Sequence, residues 1–498
     1  MNIAIISFQD NADIIGAKYI HAYLKVNNHK SYLILQSQKD GGTDDLILRF
    51  IADNGIQLVG ISLMSNEFFR AKQFAEKFKL RFQSMPLVFG GIHATIAPEE
   101  CLEIGDIVVR GEGEHVFLDL LCCIDEGRDY SGLDGIAVKH GGRIKLNPPR
   151  ALETDIDRFP FPKHLPQDMY AVHQGAVRLV NEALFKVVSR YNGTFPNIIT
   201  SRGCPFSCAY CCNSALKGLY GHYPVRKRSV EAVMAEIIEM AAEHKNCLSL
   251  NIQDDCFLTY SEGWISDFSD KYRREVGLPF VIRTSPRHVS REKLVLLKEA
   301  GLMMLMMGLQ SGSDRVNRDV FKRNITSDDF LSATRIVKSL GLVAYYDIIL
   351  DTPYETEEDV LKTLDIILQV PKPFQLQLFS LCLYQGTELH ERARKDGVAF
   401  IDPRKDDYWR LSSTTLNKLI QLSPTVPDFM IKYFIRHRTN VGVRGLIDGV
   451  VLFNTLVLTP LSFLGLMHRA YGSNLLTTLR VIRNFFGAAL RKMLNKSE

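Results

Sequence analysis

A decisive charge is the first thing missing. The chain of 498 residues carries 60 Lys and Arg against 56 Asp and Glu, a net +4. So small a surplus gives no reason to expect nucleic acid as a partner. Missing too is a basic start followed by an apolar run and a small-residue cleavage site. MNIAIISFQD reads as a buried strand, so export is not expected. Ten cysteines without export imply a reducing compartment, where clustered thiols bind metal or react more often than they form disulfides. The expected location is the cytoplasm. The composition, 46% hydrophobic and 23% charged, is that of a globular protein, and the length implies two or three domains.

What is present begins with alternation. NIAIIS, SYLILQ, LVGISL, PLVFGG and DIVVRG read as buried parallel strands, separated by helical stretches such as ADIIGAKYIHAYLK and NEFFRAKQFAEKFK. This predicts a doubly wound, Rossmann-like α/β domain over residues 1–130, with ligands bound beyond the carboxyl ends of the strands. Those ends carry Ser62, the pair Gly90 and Gly91, and the run Gly111, Glu112, Gly113. Glycine there lets a backbone approach a ligand, though tight turns explain it equally well. Residues 131–194 lose the periodic pattern and read as a linker.

The middle of the chain lacks a second metal-binding pair. SRGCPFSCAYCCNS sets Cys204, Cys208 and Cys211 at spacings of four and three, with Cys212 directly behind. Zinc wants another Cys or His pair downstream, and the later thiols Cys247 and Cys256 have no paired spacing. His222 could complete a Cys3His site, so zinc stays open, as does a redox reading of Cys208 and Cys211 that leaves Cys204 without a role. A third reading uses all three thiols. A four-iron, four-sulfur cluster held by three thiolates keeps one iron open for another ligand.

Behind the cysteines, strand candidates recur at LSLNIQ, PFVIRT, LMMLMMGL, AYYDIILD and FQLQLFSL. With PNIITSRG they make a partial (β/α)6 TIM-type barrel over residues 195–400, active at the carboxyl ends of its strands. Taken singly, paired aspartates are often a solvated turn, a Met-rich run is core, and QSGS is a turn. A helical region, 401–498, follows. After Pro427 come ten Lys and Arg against three Asp and Glu, and GVVLFNTLVLTPLSFLGLM holds no charge over nineteen residues, though Pro460 interrupts it. That is near a membrane span in length. The next stretch sets Leu476, Leu479, Ile482 and Phe486 on one face beside arginines. Such a helix lies on an anionic membrane surface, at the inner face for a cytoplasmic protein. The alternative is a helical domain packed on the barrel.

Two resemblances join these observations. Ser62-Leu63-Met64, Gly90-Gly91, His93-Ala94-Thr95 and RGEGE are similar to the cobalamin-binding domain of cobalamin-dependent enzymes. The resemblance places Ser62, Leu63, Gly90, Gly91, His93, Ala94, Gly111, Glu112 and Gly113 at cobalamin. Asp13 stands where that family has a histidine for cobalt, so no lower histidine ligand is expected from its loop. The Cys-x3-Cys-x2-Cys loop resembles the radical S-adenosylmethionine (SAM) enzymes. That likeness implies a 4Fe-4S cluster on Cys204, Cys208 and Cys211, with Cys212 a bystander. It also implies SAM contacts from Tyr210, Asp254, Asp255, Gln310, Ser311 and Arg323. DTPYETEED and LYQGTEL resemble further family turns.

Together, the two domains in this order resemble the cobalamin-dependent radical SAM enzymes over roughly residues 1–400. What this implies is SAM cleavage to a 5′-deoxyadenosyl radical, hydrogen abstraction from an unactivated carbon, and methyl transfer from methylcobalamin. An external flavodoxin- or ferredoxin-like electron donor and a small-molecule or lipid-like substrate are expected with it. Cyclisation, oxidation or rearrangement without methyl transfer is the alternative chemistry, and a cobalamin- or metal-binding sensor without turnover the alternative class.

Overall fold

The computed structural model describes residues 1–37, 42–244, 246–405 and 408–470. Its first sheet is built on β1 (Asn2–Ser7), β2 (Lys30–Leu35), β3 (Leu58–Ser62), β4 (Leu87–Gly90) and β5 (Ile107–Val109), all parallel, in the order β5-β4-β3-β1-β2. Alternate side chains go to opposite faces of a strand. Ala4 and Ile6 accordingly pack with helices Asp44–Asp53 and Phe68–Arg81, while Ile3 and Ile5 pack with helices Ile15–Val26 and Gly113–Asp125. Both faces are covered, which is why these strands read as continuous apolar runs.

The expected linker departs from its prediction. Residues 131–194 add β6 (Ile136–His140) and β7 (Arg143–Leu146) to the β5 edge, and β8 (Met169–His173) and β9 (Ala176–Leu179) to the β2 edge. These are short hairpins, turning at Gly141-Gly142 and Gln174-Gly175 with positive φ at all four residues. Two-residue turns of that handedness match the twist of hairpin strands. The inner strands of these ribbons are apolar and covered on both faces, with Ile136, Val138, Met169 and Ala171 on one side and Ala137 and Val172 on the other, but at five residues each, between glycine- and proline-rich flanks, they did not stand out in the sequence.

The second body opens with β10 (Asn197–Ile198), followed by β11 (Ser201–Arg202), which pairs antiparallel with β12 (Arg226–Lys227). β13 (Leu250–Ile252), β14 (Phe280–Thr284), β15 (Leu302–Gln310), β16 (Val343–Leu350) and β17 (Gln375–Ser380) then line up with β10 in chain order, all parallel. This is the partial six-stranded barrel. On β16, Ala344, Tyr346, Ile348 and Leu350 join the core under the surrounding helices, which leaves Tyr345 and Asp347 on the inner face.

The C-terminal region is helical: Thr415–Leu422, Asp428–Arg436, then Val441–Phe453 running through 454–458 into Thr459–Ala470. The uncharged stretch falls within this last long helix. The amphipathic stretch expected around Leu476, Leu479, Ile482 and Phe486 lies outside the described residues.

Candidate functional site

A cavity of about 370 Å³ lies where the carboxyl ends of β3, β4 and β5 face the start of the barrel. Ser62, Gly90, Gly91 and Gly111 to Gly113 line it from one side; Arg202, Gly203, Cys212, Asn213, Gln253 and Asp255 line it from the other. Gly91 has φ of 88°, and a Cβ there would sit 2.7 Å from the Leu63 carbonyl oxygen, so the turn admits only glycine. At Gly90 a Cβ would meet nothing within 4 Å and would project into open space. The floor is thus a flat backbone cradle under an apolar, two-sided slot, which fits a planar macrocycle with a polar tail.

Glu112 has another task. Its carboxylate accepts from Arg226 Nη1 at 2.9 Å and from Arg226 Nη2, from Tyr223 Oη at 2.8 Å, and from Arg202 Nη1 at 3.3 Å. Its backbone N–H donates to Tyr220 Oη at 2.9 Å. Arg202 also donates to Glu114 at 2.6 Å and lies over the rings of Tyr19 and Phe159. Burial raises the Glu112 pKa, but the hydrogen bonds from Arg226 and the field of Arg202 prevail and hold it below the ordinary range. Glu112 clasps one domain to the other. Arg202, Arg226, Tyr220 and Tyr223 escaped the sequence reading, since nothing local in SRGC or PVRKR distinguishes them.

Three other expected cobalamin residues do not border the cavity, and a fourth reaches the turn only through its backbone. His93 is buried, with Nδ1 3.1 Å from Ser65 Oγ and Nε2 3.6 Å from Glu100, and Ala94 is buried beside it. Both start a short helix that turns away from the slot behind Gly91. Asp13 lines a separate small pocket with Lys18, His164, Asn197 and Ile198, and its loop is tied to the helix after the second hairpin by Ala12 N–H, which donates to Val188 C=O at 3.1 Å. Leu63 contributes only its backbone, accepting from His93 N–H at 3.3 Å, while its side chain is core.

The cysteine loop is pinned from outside. Ala209 N–H donates to Phe321 C=O at 2.8 Å, Leu389 N–H donates to Ala209 C=O at 2.9 Å, and Lys217 Nζ donates to Phe206 C=O at 2.8 Å. Tyr210 stands edge-on to Phe321, 5.0 Å between centroids, wedging the loop against the barrel. Burial pushes the Cys204 thiol up to about 12 and raises Cys208 too. Cys211 is held below the ordinary thiol range, first by the neighbouring Cys212 side chain and then, against burial, by Asn213. Cys212, the expected bystander, borders the cavity. Among the described residues no three His, Cys, Asp or Glu converge as a single ion requires. A four-iron cube takes each thiolate on a different iron, so three thiols spaced along one loop fit it.

Asp254 and Asp255 divide their roles. Asp254 accepts from Thr200 N–H, Thr200 Oγ1 and Ser201 Oγ, each at 2.6 Å, and so holds the root of the cysteine loop instead of facing a ligand. Asp255 borders the cavity and accepts from Asn213 Nδ2 at 3.1 Å; Asn213 Nδ2 is also 3.8 Å from Cys211 Sγ. Gln310, at the end of β15, has φ of 67°, and its buried Oε1 has no partner. A non-glycine residue held in that backbone region with an orphaned acceptor marks a site awaiting a donor. Arg323 is occupied by the carbonyls of Gly308 and Leu309 at 2.7 and 2.9 Å, and Ser311 Oγ donates to Glu355 at 2.8 Å. Arg323 thus satisfies carbonyls exposed where β15 ends, and Ser311 ties the turn that follows to the loop after β16.

Deeper in the lumen runs a polar layer that the sequence reading missed. Asn251 Nδ2 and Gln253 Nε2 both donate to Asn197 Oδ1 at 2.8 Å, and Arg283 donates to Gln253 Oε1. Asp347 Oδ1 is buried without a partner; burial pushes its carboxyl up to about 6, against the fields of Arg283 and Arg323. The only available signal was Arg or Asp at an inward position of an otherwise apolar strand.

Comparison with known proteins agrees with this geometry. Residues 1–121 match the B12 binding domain and residues 198–367 the radical SAM superfamily. The chain is 30% identical over 367 residues, 71% of its length and 74% of the relative's, to an uncharacterized methyltransferase of Pyrococcus horikoshii. It is 23% identical to the anaerobic magnesium-protoporphyrin IX monomethyl ester cyclase of Rubrivivax gelatinosus, covering 69% of this chain and 60% of that one. In fold it is similar to TsrM of Kitasatospora setae with cobalamin and a [4Fe-4S] cluster, with TM-score 0.64, 17% identity, and 80% and 76% of the two chains covered. It is likewise similar to OxsB with aqua-cobalamin and SAM, with TM-score 0.65, 14% identity, and 100% and 81% covered. The chain belongs to the cobalamin-dependent radical SAM enzymes, whose cofactors are a 4Fe-4S cluster, SAM and cobalamin.

Proposed function

We propose that this enzyme methylates an unactivated carbon of its substrate. The observation that carries the reading is the cavity lined both by the Gly90–Gly91 cradle and by Gly203, Cys212 and Asn213 of the cysteine loop, where a methyl donor and a radical source would meet one substrate. When bound, SAM on the cluster supplies a hydrogen-abstracting 5′-deoxyadenosyl radical and cobalamin a transferable methyl group. Cys204, Cys208 and Cys211 would hold the cluster with one iron left to SAM. Asp255, Gln310 and the β15 end shaped by Ser311 and Arg323 would orient SAM. Ser62, Gly90, Gly91, Gly111 and Gly113 would cradle cobalamin, and Glu112 would keep the two halves in register. An external one-electron donor belongs to the same reading.

The polar layer of the lumen supports a substrate whose reacting end brings hydrogen-bond donors to Asp347 and Asn251, both of which keep an unpartnered oxygen. A lipid-like body would enter only behind such a head. The test is anaerobic reconstitution with iron, sulfide and cobalamin, an assay for 5′-deoxyadenosine, and comparison of products from hosts with and without the chain. A gain of one methylene unit is expected. The cyclase relative favours a second reading, ring closure or oxidation with the same cofactors, and a product without that gain while SAM is consumed would establish it.

A further inference from the structure

Among the described residues, nine of the twenty exposed large hydrophobic side chains lie between Phe429 and Leu461. They belong to two helices, Asp428–Arg436 and the long helix from Val441, that share one support, the helix Thr415–Leu422. In the first, Phe429 (72% exposed), Lys432, Tyr433 and Arg436 follow at i, i+3, i+4 and i+7, a single outward stripe of aromatic and basic groups. In the second, Leu446, Leu452, Phe453, Leu456 and Leu461 are all more than half exposed. An apolar concentration of this kind on a folded chain marks a contact surface.

The long helix is apolar and long enough to cross a bilayer, over Val441–His468 with a mean hydropathy of 2.0. Its packing rules out that use. Ile447, Val451, Asn454 and Leu458, at i, i+4, i+7 and i+11, face the protein: Ile447 is fully buried, Val451 and Leu458 pack on the barrel core, and Asn454 accepts from Thr425 Oγ1. Farther on, Leu466 and Met467 are buried and Gln375 Nε2, at the start of β17, donates to Ser462 Oγ at 2.9 Å. One face is fastened to the barrel along its whole length, and only the other is free.

The charges say what covers the free face. The acids in these helices are already paired, Asp428 with Lys372 at 2.7 Å and Asp448 with Lys418 at 2.6 Å. Lys432 and Arg436 are exposed and remain beside the aromatics. We infer that the two helices are a monotopic docking surface for an anionic lipid bilayer, lying in its interface without crossing it. Aromatic side chains seat at the head-group level, basic side chains meet anionic head groups, and leucines enter the acyl boundary. This goes beyond the methyl-transfer reading and does not depend on it.

The experiment is flotation of the full-length protein on vesicles of phosphatidylcholine alone, or of phosphatidylcholine and phosphatidylglycerol in equal parts. Flotation with the anionic vesicles, weakened by salt, is expected. The double variant Lys432→Gln/Arg436→Gln should bind them about 30-fold more weakly, and Phe453→Asp/Leu456→Asp should remain in the bottom fraction with an unchanged melting temperature. Both pairs are exposed, so neither disturbs the core. Failure of the wild type to float on anionic vesicles would overturn the inference, as would aspartate variants that float as well as wild type. A stable dimer of wild type that the aspartate variants dissolve would overturn it too, assigning the face to a second copy of this chain.

Discussion

Replacing Glu112 by Gln removes one charge from the clasp and changes almost no volume. The side chain is 14% exposed, Arg226 4% and Arg202 17%, so solvent screens little of the interaction. Breaking a buried ion pair of this kind costs about 3–5 kcal/mol, chiefly because the partner charges stay buried. Two fallback contacts argue for the lower end: Arg202 keeps Glu114 at 2.6 Å, and Arg226 keeps the Glu153 carbonyl at 2.9 Å. About 3 kcal/mol corresponds to a roughly 150-fold change in an opening equilibrium. Hydrogen exchange reads it directly, at the amides of residues 111–114 and of the cysteine loop, which the clasp holds in register. Both should exchange roughly 150-fold faster in the variant, while the core of β14 to β16 should be unchanged. The wild-type contribution is present above the unfolded carboxyl pKa of about 4.3 and is lost as pH falls through the lower folded value. An acceleration below about fivefold, equivalent to ~1 kcal/mol, or one spread uniformly over the protein, would refute the role.

Other expectations separate the cofactor sites. Cys208→Ala should lose the visible absorbance of the reconstituted cluster and all 5′-deoxyadenosine, and persistence of either would remove the cluster assignment. At Gly90 an added Cβ meets no atom of the fold within 4 Å, so the thermal midpoint of Gly90→Val should match wild type while cobalamin, measured by absorbance after desalting, no longer co-purifies. Asp347→Asn should stabilise the apoprotein near neutrality. Because its folded carboxyl titrates at about 6 against about 3.9 unfolded, wild-type stability falls as pH rises from about 4 to 6. The full difference is about 3 kcal/mol, since one unit is about 1.4. Urea titrations across that window should show this slope in wild type and its loss in the variant; parallel curves would mean that Asp347 is not desolvated.

The architecture was legible because it rests on short-range pattern. Five apolar runs, two of them ending in glycine, can bury both faces only as a parallel sheet covered by helices, and the same alternation repeats behind the cysteines. The three spaced thiols carried their chemistry in their count. The hairpins of residues 131–194 stayed hidden because their apolar runs, IAV and MYAV, are too short to be told from loop among the glycines and prolines that flank them.

Sequence alone thus determined the order of the two domains, the loop that holds the thiols, and the glycines on which a large planar ligand could lie, since each depends on neighbours along the chain. Only the tertiary structure decided which of the polar residues face the ligands. Asp254 and Asp255 are adjacent in sequence, yet one is consumed by Thr200 and Ser201 and the other opens on the cavity. Glu112 looked like a ligand contact and is a clasp, because its partners Arg202 and Arg226 arrive from the other domain, 90 and 114 residues away. A side chain's task is set by the charges folded against it, and those come from parts of the chain that local pattern cannot bring together.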